Sequence, residues 1–142
     1  MSSSMEIADA RLYADGMRQQ IKRFATLTIQ LEIVDDVRQW CLENETAGCI
    51  GNPVGIAIGC TGGYLDGLIL VRQKIDASLV RGVTSRIMIP SAQSLLATPQ
   101  AWLDFLVLHE LAHLENKWGQ EREDDCDSWA MERFLAGRKQ ND

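Results

Sequence analysis

The stretch Thr98-Pro99-Gln100-Ala101-Trp102-Leu103-Asp104-Phe105-Leu106-Val107-Leu108-His109-Glu110-Leu111-Ala112-His113 decides the fold. Thr98 suits a helix N-cap, because its side-chain oxygen can accept from the first unpaired backbone N–H groups. Pro99 then stands at the first helical position, where its missing N–H costs nothing. Trp102, Phe105, Leu106, Leu108 and Leu111 give this helix an apolar body, and in its middle reads His109-Glu110-Leu111-Ala112-His113. Residues four apart share one helical face, so the two imidazoles converge on one point and Glu110 stands beside it. Two nitrogen donors next to a carboxylate suit a tetrahedral Zn²⁺ ion. The chain has only two histidines, and both fall in this motif.

A zinc ion needs more than two ligands, and the residues that follow offer a third. If the helix continues to Trp118 it climbs about 7.5 Å past His113, and Gly119 supplies the turn at its end. A second helix returning antiparallel brings Glu123 to about the level of His113. Asp127 follows one turn later, on the same face as Glu123 and near the level of His109. Glu123 is the favoured third ligand, with an open fourth position for water, the arrangement of a catalytic rather than a structural zinc. Asp127 is a candidate acceptor for a histidine N–H, which fixes ring orientation. Glu121, Asp124, Cys126 and Asp127 are the alternatives to Glu123. Glu121 lies nearer the turn and Asp124 is rotated off the face. Cys126 would close the site with sulfur. Part of this acidity also fits a solvated helix start that complements the helix dipole. Glu110, next to the metal but not bound to it, can take a proton from a water and pass it to a leaving amine. Tyr64, one of two tyrosines, is a candidate donor to the developing oxyanion.

Working outward, residues Glu6 to Arg23 place Ile7, Ala10, Leu12, Ala14, Met17 and Ile21 at mostly helical spacing, which predicts an amphipathic first helix. Leu27 to Ile33 alternates apolar and polar residues, as a strand does. Asp35 and Asp36 can cap a short helix carrying Val37, Trp40 and Cys41. Seven of the eleven glycines fall between Gly48 and Gly67, around two β-like runs, Val54 to Ile58 and Leu68 to Val71. The loop Gly59-Cys60-Thr61-Gly62-Gly63 lacks the Lys-Ser/Thr ending of a phosphate-binding loop. Ser85 to Ile89, closing at Pro90, reads as a further strand at a sheet edge. The expected fold is α+β over one domain, residues 1–142. It has an N-terminal helix, a small sheet of three or four strands with an exposed edge, and a C-terminal helical hairpin carrying the metal site.

Charge narrows the partners. The net charge is −6, with the acids concentrated from Asp104 onward, which excludes a general nucleic-acid surface. The longest uncharged stretch, Thr46 to Leu65, holds six glycines, Asn52 and Pro53, and makes a poor membrane helix. No basic region followed by an apolar run opens the chain. Cys41, Cys49, Cys60 and Cys126 form no Cys-x-x-Cys pair, which predicts reduced thiols in a cytoplasmic protein.

His109-Glu110-Leu111-Ala112-His113 followed by Glu123-x-x-Cys126-Asp127-x-Trp129-Ala130 resembles the pattern of glutamate-type zincin metallopeptidases, most of all the minimal ImmA/IrrE type. The likeness covers His109 to Leu135, a fifth of the chain. It implies zinc held by His109, His113 and Glu123 with Glu110 as general base, on a minimal zincin-like fold whose edge strand precedes the active-site helix. A protein or peptide substrate would then pair along the edge near Ser85–Ile89 by strand addition. The expected activity is zinc-dependent hydrolysis of a peptide bond. Two other readings stand beside it: a zinc-stabilised, non-catalytic regulatory or interaction module, and hydrolysis of a small amide.

Overall fold

The computed structural model describes residues 5–44 and 53–141. Its central element is helix α5, Pro99–Asn116. It starts as the sequence predicts, with the Thr98 side chain accepting from the Ala101 N–H at 3.2 Å. Trp102, Leu103, Phe105, Leu106, Val107, Leu108, Leu111 and Ala112 are all buried, on every side of the helix rather than along one stripe. A helix apolar all round belongs inside the protein. Helices α1 (Ala14–Phe24) and α6 (Glu123–Asn141) pack against it, as do two strands of the sheet.

That sheet has three strands in the order β1-β3-β2, with β1 Ile29–Val34, β2 Gly55–Gly59 and β3 Gly67–Arg72. β1 runs parallel to β3, in unbroken register from Ile29 opposite Gly67 to Val34 opposite Arg72. β2 is antiparallel to β3, from Gly55 opposite Val71 to Gly59 opposite Gly67. The central strand reads Leu68-Ile69-Leu70-Val71, and these four residues are buried, as expected where both faces are covered. Ile69 and Val71 join the main core with α5 and α1. Leu68 and Leu70 face the other way, onto Val37 and Cys41 of helix α2, Val37–Glu43. That helix starts where the aspartates predict, with Asp36 accepting from the Gln39 N–H at 2.8 Å.

The first helix differs in detail. A 3₁₀ turn, Ala10–Tyr13, precedes α1, and the N-terminal segment is tied to the body by a bridge between Ile7 and Ile75. Ala10, Ala14, Met17 and Ile21 are buried, but the tighter turn directs Leu12 into solvent, 76% exposed.

The strand expected at Ser85–Ile89 is not formed. Helix α3, Ala77–Arg86, takes its first half, and Ile87 to Ile89 belong to no strand. The helix wins because Asp76 caps it, accepting from the Leu79 N–H at 2.8 Å. Thr84 then fits a helical position: its hydroxyl donates to the Val80 carbonyl at 2.7 Å and accepts from Trp102 Nε1 at 3.0 Å. Among the described residues, the edges of the sheet are therefore β1 and β2. A short helix α4, Ala92–Leu95, leads into α5.

The cysteine reading also needs correction. Cys60 and Cys126 are free, but Cys41 is disulfide-bonded, which is uncommon in a reducing compartment. Cys49 lies outside the described residues. No helix among the described residues is long and apolar enough to cross a membrane.

One acid in the helical layer carries a cost. Burial raises the Asp104 carboxyl from 3.8 to about 6, against the Gln100 amide that donates to it at 2.7 Å. A carboxyl raised on folding favours the protonated native state, so its penalty is absent below about pH 4, grows between about 4 and 6, and is complete above that. Asp104→Asn keeps an acceptor for Gln100 without the charge. Its melting temperature should exceed that of the parent chain at pH 7, with the difference fading toward pH 4 in thermal scans.

Candidate metal centre

The site is built where α5 turns back into α6. Lys117 adopts a left-handed conformation (φ 54°), and the N–H groups of Lys117 and Trp118 both reach the carbonyl of His113, the latter at 3.1 Å. This closes the end of α5 with a Schellman-type turn. The residue making the turn is Lys117, whereas Gly119, expected there, is extended. One 3₁₀ turn, Gln120–Arg122, follows, and Glu123 opens α6. The Arg122 guanidinium stacks 4.8 Å from the Trp118 ring and pairs with Asp125.

The two histidines are arranged alike. His109 Nδ1 lies 2.7 Å from the Asp127 carboxylate, and His113 Nδ1 lies 2.8 Å from the Trp118 carbonyl. A carbonyl oxygen only accepts, so His113 Nδ1 carries the proton and its Nε2 keeps a lone pair unless the ring is charged. Both Nε2 atoms point at Glu123: His109 Nε2 is 2.6 Å from one carboxylate oxygen and His113 Nε2 is 3.5 Å from the other. Glu110 sits on the inner side, 7% exposed, and its carboxylate and the two imidazoles bring ligating atoms within 4.8 Å of one another. His109, Glu110 and His113 thus form a group able to hold a metal ion. Glu123, half-exposed, reaches the same two nitrogens from the solvent side.

The electrostatics follow from this crowding. Burial opposes charge on His109, but hydrogen bonds with Asp127 and Glu123 prevail and hold its imidazolium up to about 10. Contact with Glu123 likewise raises His113, against partial burial. The hydrogen bonds with His109 and then His113 hold the Glu123 carboxyl down at about 2. Burial drives Glu110 the other way, upward, against the attraction of the two rings. Cys126, buried beneath the site, is pushed up to about 12 by burial and by the carboxylates of Glu123 and Glu110. A thiol held neutral in this way is a poor ligand.

The donor set fits zinc. Four ligands at about 2.0–2.1 Å from a tetrahedral ion stand about 3.3 Å apart. The two Nε2–carboxylate distances, 2.6 Å to one Glu123 oxygen and 3.5 Å to the other, lie near that spacing, so the carboxylate stands within reach of an ion placed between the rings. Both rings are already held through Nδ1, the arrangement that commits Nε2 to a metal.

Of the residues singled out from the sequence, the structure brings together His109, Glu110, His113, Glu123 and Asp127. Glu121 and Asp124 are exposed, and Asp125, their neighbour, is taken by Arg122. Tyr64 is 81% exposed in the β2–β3 turn. That turn adjoins Gly67, which packs on Leu114, one residue past His113 and a turn beyond Glu110. Two participants escaped the sequence reading. The Trp118 carbonyl is a backbone atom, which no side-chain pattern encodes. Gly55 had a visible signal, a glycine within a strand, which marks close backbone approach. A Cβ there would lie 3.6 Å from a Glu110 oxygen and 3.3 Å from the Leu70 carbonyl.

Comparisons with protein-family models, curated proteins and solved structures find no match to this chain.

If Asp127 orients His109, Asp127→Ala should weaken zinc affinity about 10- to 100-fold, read by competition with a chromophoric chelator. Glu121→Ala, at an exposed position outside the cluster, should leave the affinity unchanged.

Proposed function

We propose that this chain is a zinc-dependent metallopeptidase, with the metal held by His109, His113 and Glu123. The observation that carries the proposal is the convergence of two Nδ1-anchored imidazoles and one carboxylate beside a buried glutamate that none of them needs as a partner. When bound, zinc would supply Lewis acidity toward a scissile carbonyl and lower the pKa of a water toward about 7.

The remaining chemistry belongs to the protein. Glu110 is the general base. Burial favours its protonated form, so it can take a proton from the attacking water, hold it, and return it to the leaving amine. Asp127 and the Trp118 carbonyl fix the two rings, so that no reorganisation is needed as charge develops. Strand β2 passes closest to this group, with Gly55 against Glu110. Among the described residues β2 is an edge of the sheet, so an extended protein or peptide substrate would add there rather than near Ser85–Ile89. The net negative charge disfavours nucleic acid as a substrate.

A zinc-stabilised, non-catalytic module would bear the cost of burying Glu110 for no return, which favours the enzyme. Elemental mass spectrometry of protein purified without added zinc should give about one zinc per chain. His113→Ala and Glu123→Ala should each lose it. Glu110→Gln should keep the metal and the fold while cleavage of a quenched-fluorescence peptide library falls about 10²- to 10⁴-fold. Loss of zinc in Glu110→Gln would make Glu110 a ligand instead. Full turnover in that variant would end the peptidase reading.

A further inference from the structure

The second edge of the sheet lies away from Gly55 and Glu110. β3 separates β1 from β2, and the outer side of β1 borders a cavity of about 630 Å³ between this strand and α1. Its lining includes Ile21, Ile29, Leu31 and Leu65, with Arg18 and Lys22 from α1. These two cations are the charged residues of the lining, and none of the lining residues is acidic. The carboxylates nearest the groove, Glu115 and Asp66, are taken up by backbone N–H groups of its rim, Glu115 at Leu27 and Asp66 at Thr28, which leaves Arg18 and Lys22 as the charged side chains of the lining. Asp15 approaches Arg18 only to 4.0 Å and is itself fully exposed.

The backbone of β1 is available for pairing. Gly67 N–H donates to the Thr28 carbonyl and Gln73 N–H to the Val34 carbonyl. The even-numbered residues of β1 therefore turn their backbone groups toward β3, and Ile29, Leu31 and Ile33 turn theirs outward. Edge strands are usually blunted by proline, a bulge or an inward lysine. Ile29-Gln30-Leu31-Glu32-Ile33 has no proline, bulge or lysine, its register with β3 is unbroken, and its one charge, Glu32, alternates onto the opposite face from Leu31, where it accepts from Gln30 at 3.3 Å.

We infer that the β1 edge and its groove dock an extended acidic segment of a partner protein, added as a fourth strand beside β1. Arg18 and Lys22 stand one helical turn apart, about 6 Å along α1. Alternate residues of an extended strand are about 6.7 Å apart. Acidic side chains at positions i and i+2 of the incoming strand therefore meet the two cations, while the strand covers the half-buried Ile29 and Leu65 of the lining. A second copy of this chain fits poorly. Two-fold pairing of β1 with itself would set both Arg18–Lys22 pairs on the same face of the joined sheet with no acid between them.

The probe is an acetylated, amidated hexapeptide of alternating glutamate and valine, titrated into the full chain. Saturable binding should perturb the amide resonances of Ile29, Leu31 and Ile33. Arg18→Glu combined with Lys22→Glu, both at exposed positions, should weaken it at least about tenfold. The lysine–valine peptide should bind at least about tenfold less well, and N-methylation of alternate peptide amides should abolish binding. Glu110→Gln should bind as the parent chain does, because the groove is separate from the metal centre. No saturable binding, equal binding of the lysine–valine peptide, or perturbation centred on Gly55 to Gly59 would each overturn the inference. So would a dimer in sedimentation that protects the Ile29, Leu31 and Ile33 amides from exchange, since it would give the edge to a second copy.

Discussion

A helix buried on every side cannot carry two imidazoles and a carboxylate unless partners reach them inside the protein. Helix α5 is such a helix, and most of what surrounds the site answers that constraint. Unpaired, each of these polar groups would cost a few kcal/mol or more. Asp127 and Glu123 of α6, with the Trp118 carbonyl between the helices, satisfy four ring nitrogens in one turn of structure. The packing of α6 on α5 is therefore not only apolar. Ala130, Met131 and Phe134 supply the core contacts, while Glu123 and Asp127, one turn apart at the start of α6, supply the polar partners that make the buried motif tolerable.

The same crowding is what makes the site able to hold a cation. Three carboxylates around two imidazoles concentrate negative charge in a partly desolvated place, where Coulombic terms are stronger than in water. Protons answer that field when no metal does, which is why the imidazolium of His109 is held up to about 10 and that of His113 is raised as well. Metal binding to such a site must displace protons, so the stability of the hairpin and the occupancy of the centre are linked properties.

Much of this was legible in the sequence because it is local. The N-cap at Thr98, the proline at 99, the i, i+4 histidines and the return of Glu123 and Asp127 all follow from helical geometry over short distances. The alternation of Leu27 to Ile33 and the glycine-bounded runs around Gly59 likewise gave the three strands. The failures lie where a local pattern is ambiguous and distant partners decide. Ser85-Arg86-Ile87-Met88-Ile89 reads as a strand, yet the Asp76 cap and the indole of Trp102, which holds Thr84, draw its first two residues into a helix. Glycine at 119 looked like the helix stop, but the closing turn fell two residues earlier on a lysine, which accepted an unfavourable φ.

The two histidines are held by different kinds of atom, and this makes them unequal before mutation. His109 leans on a side chain, so one nucleotide change at codon 127 can release it. His113 leans on the main chain at 118, which survives replacement of the tryptophan by any residue that keeps the turn. What it does not survive is a change in length, since one residue inserted or deleted between His113 and Trp118 would carry the carbonyl away from the ring. Variation in this hairpin should therefore be permissive in spelling at position 118 and strict in counting.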